Sequence, residues 1–268
     1  MTVDVAVLAL ALHPFRELPS APGTERIEGA NVLCVFHPYP NAQPVEPVGL
    51  TQADVPSAVA VARELARERD RGLQAWWIAP ENAELGPALE REGLVNEDTP
   101  GFEAVENAMV LAEPPTGDSG EISVRAVETY EDFSVSTSVV LDAFDFPAAM
   151  REEAEAELST RWEEYRDPRN PGRQYVAQIG DEIVGTATAV FGAAGINLFG
   201  GAVLPQARGR GVYRALTIAR WDEAVARGTP ALTVQAGRMS LPVLAKLGFT
   251  LVGEVRIYVD DVGATLAE

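Results

Sequence analysis

Six residues, Gln206-Ala207-Arg208-Gly209-Arg210-Gly211, form the part of this 268-residue chain best suited to chemistry. An apolar stretch ending in Ala202-Val203-Leu204-Pro205 leads into them, and Val212, Ala215, Leu216 and Ala219 follow at helical spacing. The order predicts a strand, a tight turn, and a helix whose first amide groups and positive dipole end face one small concavity. Such a concavity holds phosphate through main-chain N–H groups. Gly209 and Gly211 let the backbone curl close to an anion, while Arg208 and Arg210 add positive charge. The competing reading is a strand-to-helix turn that binds nothing; the paired arginines and the flanking pattern favour the anion.

Two nucleotide-binding patterns fail here. A Walker loop ends in Gly-Lys-Ser/Thr, yet the sole lysine is the distant Lys246. A dinucleotide fingerprint needs a third glycine where this chain has Arg214. What remains is Gln-x-x-Gly-x-Gly between a strand and a helix, a form that resembles the phosphate loop of the GNAT acyltransferase superfamily. Other segments extend the resemblance from about Ile122 to the C-terminus. Ile122–Ala126 reads as a first strand, and Gln174–Ile179, Gly180-Asp181 and Glu182–Phe191 read as a hairpin. Ile196–Leu204 is the strand before the loop, whose helix runs to about Arg227. Ala231–Ala236 is a further strand and Ser240–Leu247 a short helix for which Ser240 is read as the N-cap. Gly248-Phe249 and paired strands through Asp260 close the chain. Lys246-Leu247-Gly248-Phe249 is similar to a common family signature.

The resemblance implies an α/β (α+β) fold of mixed, mostly antiparallel sheets flanked by helices, and acetyl-CoA as acyl donor. It places pyrophosphate on the amides of Arg208, Gly209, Arg210, Gly211, Val212 and Tyr213. The backbone of Ala202 and Val203 would hold the pantetheine arm. Gly200-Gly201 within that strand suggests a bulge that opens the sheet, or simple relief of crowding. Catalysis is where the chain departs from the family. The tyrosine that often protonates the departing thiolate is replaced by Leu244, and the frequent asparagine falls near Gly237. No carboxylate lies in Ile196–Leu204, so the catalytic residues are unknown.

The first hundred residues read as a degenerate copy of the same unit. Arg71-Gly72 precedes Leu73–Ile78 as Arg227-Gly228 precedes Ala231–Ala236, and Gly93-Leu94 echoes Gly248-Phe249. The two glycine pairs stand at nearly one separation. Carried back to the loop, that separation sets Ala53 against Gly209, Asp54 against Arg210 and Val55 against Gly211. Both glycines are lost and a carboxylate takes the anion's place, so this half is expected not to bind coenzyme A. The expected division is a degenerate domain over 1–115 and an acetyltransferase domain over 120–268, joined by a linker at Glu113–Gly120.

Remaining features place the chain in a class. A formal charge of −19 argues against nucleic acid, where basic patches dominate affinity. The single cysteine, Cys34, excludes an intrachain disulfide and suits a reducing cytoplasm. Val5–Leu12 is too short for a membrane span and reads as a strand. His13 and His37 stand apart from one another and from any ligand cluster, so no metal site is expected. Each is read as a strand-edge or loop histidine, and His37–Pro47 as an internal loop. Trp76-Trp77 reads as core. Thr129–Asp142 and about Ala149–Tyr165 are helices that would cover the acceptor side, with Leu158, Trp162 and Tyr165 packed on one face. Phe144 and Phe146 would wall the pocket, with Asp145 as a candidate amine partner. The function expected is transfer of an acetyl group to the amine of a small molecule or peptide. A silent acyl-CoA-binding or partner-binding protein is the alternative, and a homodimer through a free strand edge stays open.

Overall fold

A computed structural model describes residues 3–38, 42–98 and 103–263. The N-terminal half contains α1 (Val5–Leu12), α2 (Pro14–Glu17), β1 (Glu25–Gly29), β2 (Val32–Phe36), β3 (Gln43–Pro47), α3 (Val55–Arg67), β4 (Leu73–Ile78), α4 (Gly86–Arg91) and β5 (Val105–Leu111). The C-terminal half contains β6 (Ser123–Ala126), α5 (Tyr130–Ala143), α6 (Ala148–Tyr165), β7 (Gly172–Ile179), β8 (Glu182–Phe191) and β9 (Ile196–Val203). It continues through α7 (Val212–Ala226), β10 (Leu232–Ala236), α8 (Leu241–Leu247) and β11 (Thr250–Asp261). The hairpin, the loop-bearing strand and the helix after it lie where the residue pattern put them. Gly180 supplies the turn at a φ of 60°.

All strands join one sheet in the order β1-β2-β3-β4-β11-β5-β10-β9-β8-β7-β6. The N-terminal half runs through two antiparallel pairings to one parallel pairing, β3 with β4. The C-terminal half, with β6 as an extra outer strand, runs through three to the parallel pairing of β9 with β10. Apart from β6, the two halves thus repeat the same order of strands and helices, beyond the segment in which the sequence showed repetition. Their last strands are exchanged. β11 lies between β4 and β5, pairing through Arg256–Asp261 with the first and Thr250–Arg256 with the second. β5 in turn separates β11 from β10.

The cores follow the exchange. Met109 and Leu111 of β5 pack among residues of α7, α8 and β7–β10, while Tyr258 of β11 packs with α3, α4 and β2–β4. Gly86 is the position that lets α4 approach the Tyr258 hydroxyl. The linker docks as well: Thr116 donates from its amide to the Leu247 carbonyl (3.1 Å) and from its hydroxyl to the Lys246 carbonyl (2.7 Å). The last turn of α8 thereby gains donors for its unpaired carbonyls.

Four expectations are corrected. Val5–Leu12 is a helix, because Asp4 accepts the Ala6 amide at 2.8 Å and Val7, Leu10 and Ala11 bury one face at helical spacing. Residues 43–47, read as loop, form β3, all five of them buried; residues 39–41 lie outside the described residues. The paired strands expected after Phe249 are one 12-residue strand with a bulge between Leu251 and Gly253. Its partners come from the other half of the chain. Finally, Ser240 precedes α8 but its hydroxyl turns back to the Gly237 carbonyl (3.2 Å) and caps no amide.

Candidate active site

The loop before α7 is built as its residues dictate. Pro205–Ala207 make one 3-10 turn, after which Gly209 and Gly211 adopt φ of 76° and 90°. Residues with a Cβ are strained in that region, so both glycines are required by conformation. A Cβ on Gly209 would meet nothing within 4 Å, which means the loop faces open space. The Arg208 and Arg210 amides make long turn bonds of 3.3 and 3.4 Å to Pro205 and Ala207. No described protein group accepts from the amides of Gly209, Gly211, Val212, Tyr213 and Arg214, while Ala215 begins the helical pattern by donating to Gly211. Four consecutive donors therefore converge at the positive end of a four-turn helix.

The two arginines separate. Arg208 is clasped to the protein, donating to the carbonyls of Ala143 (2.7 Å) and Val203 (3.3 Å), and so ties the loop to the C-terminal end of α5. Arg210 is exposed. Arg214 lies along the linker, 3.1 Å from where a Cβ on Gly117 would be.

Upstream of the loop the sheet opens. β9 and β10 pair only at Ile196 with Leu232 and Asn197 with Thr233, although β9 continues to Val203 and β10 to Ala236. From Leu198 onward, the β10-facing edge of β9, including Ala202 and Val203, has no strand partner. At the last paired rung, Asn197 Oδ1 and Thr233 Oγ1 are buried without hydrogen-bond partners. On the other edge, the register against β8 slips between Thr186–Ala202 and Thr188–Phe199. The slip places one extra residue in β9 at Gly200-Gly201, and Gly200 has a φ of 55°. The bulge suggested by the paired glycines is present. Close packing also bears on these glycines: a Cβ on Gly201 would lie 2.8 Å from Cε2 of Tyr213.

A cleft of about 600 Å³ lies on the opposite side of the bulge, between α5, α6 and the sheet. Phe133, Ser136, Met150, Gln174, Thr188 and Gly200 are among its lining residues, so it reaches the bulge directly. Phe146 lines it as expected; Phe144 is 51% exposed and rests edge-on against Phe146. Asp145 is not among the lining residues. The carboxylates that are, Glu153 and Glu157, sit one turn apart on α6, where Glu157 is 3.6 Å from Arg161. The sequence offered no means of choosing them, since α6 is acidic along its whole length. Leu158, Trp162 and Tyr165 pack on Val127, Phe133 and Val176, as their shared face required.

Other singled-out residues lie elsewhere. Trp76 and Trp77 are buried in β4. Leu244 is fully buried in the core, so α8 offers no proton donor there. His13 lies in the short connection between α1 and α2, a loop position, and is buried there with Nε2 2.5 Å from Glu81. His37 lies in the connection after β2. Among the described residues no group of three His, Cys, Asp or Glu side chains could hold a metal ion, and no helix is long and apolar enough to cross a membrane.

Residues 140–249, which contain the loop, the bulge and most of the cleft lining, match the family model described as acetyltransferase (GNAT) family. That segment is thus similar to the GNAT family, whose members are acyltransferases. The whole chain has the fold of a GCN5-related N-acetyltransferase from Kribbella flavida (TM-score 0.71, 14% identity, 97% of this chain and 96% of that one). It is also similar to a functionally unknown conserved protein from Staphylococcus epidermidis (TM-score 0.65, 13% identity, 94% and 99% covered). A third similar structure is a tandem GNAT protein from the clavulanic acid biosynthesis pathway, determined without AcCoA (TM-score 0.60, 14% identity, 96% and 94% covered). No curated protein matches the sequence.

Proposed function

We propose that the chain is an N-acetyltransferase that moves an acetyl group from acetyl-CoA to the amine of a small molecule or peptide. One observation carries this reading: unpaired amides at the start of α7 lie at the mouth of an opened sheet. In this reading the diphosphate rests on the amides from Arg208 to Tyr213, chiefly those of Gly209, Gly211, Val212 and Tyr213, which have no protein acceptor. The pantetheine arm follows the unpartnered edge of β9, where Ala202 and Val203 offer backbone groups. The thioester then lies at the Gly200-Gly201 bulge, and the acceptor amine reaches it from the cleft under α5 and α6. Holding amine and thioester together at a fixed backbone donor supplies proximity and oxyanion stabilisation.

The first half lacks the loop glycines and the bulge: Ala53 and Asp54 precede α3, and β3 pairs with β2 without a register slip. α3 begins after Asp54, as α7 begins after Gly211, which shifts the correspondence by one residue from that of the flanking glycines. The Asp54 carboxylate accepts from Thr51 at 2.6 Å at the mouth of α3, where an anion would be repelled. The proposed division is therefore a non-binding half over 1–115 and a competent half over 120–268 that together wall one cytoplasmic active site.

Gly211→Glu tests the reading, because it puts a side chain and a negative charge at a left-handed position beneath the free amides. Calorimetry with acetyl-CoA should show saturable binding to the wild type and a loss of at least a hundredfold in the variant. Thiol release across a panel of amines should accompany binding. Unchanged affinity in the variant, or no heat with the wild type, overturns the assignment.

A further inference from the structure

The resemblance places the usual proton donor on α8, and that position is the buried Leu244. A second tyrosine occupies the other side of the same bulge. Tyr213 lies in the first turn of α7, and helical side chains lean toward the N-terminus, which carries its ring back under β9. A Cβ on Gly201 would be 2.8 Å from its Cε2 and 3.5 Å from its hydroxyl oxygen. The hydroxyl edge of the ring thus rests on the bulge glycine, and a Cβ there would displace it.

Behind Tyr213 stands an uncompensated buried cation. Arg220, two turns further along α7, is 1% exposed. It donates to the carbonyls of Leu216 (2.9 Å) and Thr188 (3.3 Å), and its Nη2 has no hydrogen-bond partner. The Thr188 carbonyl belongs to the β8 residue paired with Phe199, at the point where the bulge breaks the ladder. Among the described residues no carboxylate forms an ion pair with this guanidinium; burial holds its pKa below the usual arginine range, and the hydroxyls of Tyr213 and Tyr175 oppose that shift. The nearby Glu223 is engaged by Arg173 (3.1 Å) and Arg227 (2.8 Å). A buried, unpaired charge is costly, and it favours any nearby group that becomes negative.

The geometry points to Tyr213 as the acid that protonates the departing thiolate, with Arg220 as a positioning residue that favours the tyrosinate left behind. The assignment rests on the acyl-transfer reading above. In the step, the amine nitrogen attacks the thioester carbonyl carbon and the C–S bond breaks. The sulfur takes that electron pair and receives the Tyr213 proton, giving free coenzyme A thiol. The amide nitrogen releases its extra proton to water, and water restores the phenol, so the reaction ends in balance. Tyr213 would then serve twice, through its amide at the diphosphate and through its side chain at the sulfur.

Tyr213→Phe separates these roles, since it keeps the amide and the ring that fills the space at Gly201. With the full chain and an amine on which the wild type releases thiol, kcat should fall about a hundredfold. KM for acetyl-CoA and the affinity for coenzyme A should stay within about twofold. The wild-type kcat should decline at alkaline pH as the acid ionises, and this limb should vanish in the variant. A kcat within threefold of wild type, or an unchanged alkaline limb, overturns the proposal. A second readout needs no turnover: saturating coenzyme A should shift the ionisation of one tyrosine, followed at 295 nm, in the wild type and not in Tyr213→Phe. Absence of that difference overturns the role of Tyr213 even if amines are acetylated. Failure of the wild type to bind acetyl-CoA overturns the underlying reading instead.

Discussion

Glu46 is fully buried on β3, with one carboxyl oxygen accepting the Phe15 amide at 3.1 Å and the other unpartnered, 4.0 Å from His13 Nδ1. Burial pushes its carboxyl up to about 7, against the Phe15 amide and the charges of Arg16 and Arg26. The folded state then holds this proton after the unfolded chain has released it. Its contribution to stability is complete below pH 4.5 and is lost as pH rises toward 7. Glu106, also pushed up to about 7 by burial with Glu103 adding to the effect, acts in the same direction. His13, held below its usual range by burial, acts in the opposite one. Glu46→Gln keeps an acceptor for Phe15 without a charge to bury, so it should stabilise the protein by roughly 2–3 kcal/mol at pH 8 and by little at pH 4.5. Urea denaturation at both values checks this; an equal effect at the two excludes it. Nothing in the sequence marked Glu46, because the burial of one glutamate among many depends on what packs over it. The phosphate loop was legible for the opposite reason. Glycines at Gly209 and Gly211 report a local backbone conformation, and the donors they expose are main-chain groups that need no distant partner.

Elements were legible to the extent that their own residues decide them. The β7–β8 hairpin and α7 carry their turn glycines and apolar spacing within themselves. α1 misled because its valines, leucines and alanines satisfy both periods, and only the Asp4 cap and the surfaces it covers settle the choice. β11 misled because its partners are nonlocal, and a strand does not announce its neighbours. Once placed, it is held by more than its ladder. Asp260 of β11, 2% exposed, accepts three hydrogen bonds from Arg63 of α3, at 2.9, 2.9 and 3.3 Å, and Arg63 also donates to the Glu92 carbonyl at 2.8 Å. The pair fastens a C-terminal strand to an N-terminal helix. Asp260→Asn should cost about 2–4 kcal/mol, because it strands a guanidinium in a site built for its partner. Replacing both residues by apolar ones, Arg63→Met with Asp260→Leu, should recover most of that loss. Denaturant midpoints of the single and double variants decide the matter; a double variant as unstable as Asp260→Asn contradicts the desolvation argument.

At the scale of the molecule, the exchange of β5 and β11 sets what can exist alone. The sequence suggested a linker at Glu113–Gly120 between two domains, because composition shifts where chains cross between units. It carried no sign that the strands on either side of that linker trade places. A fragment beginning at Ser119 would retain the loop, the bulge and the cleft, yet lose the strand between β10 and β11. Seven residues, Val105–Leu111, would be missing from the sheet, and with them the core contacts of Met109 and Leu111. β11 would lose its partners on both edges and β10 on one, and such bare edges favour association between chains. Residues 119–268 expressed alone should therefore aggregate or fail to give a cooperative thermal transition. Co-expression with residues 1–118 should restore a soluble one-to-one complex with acetyl-CoA affinity near that of the intact chain, since only the linker is cut. Size-exclusion chromatography and calorimetry of both preparations test the claim. A soluble, monomeric 119–268 fragment with full affinity would mean that β10 and β11 can close on each other, and that the first half is dispensable to the site.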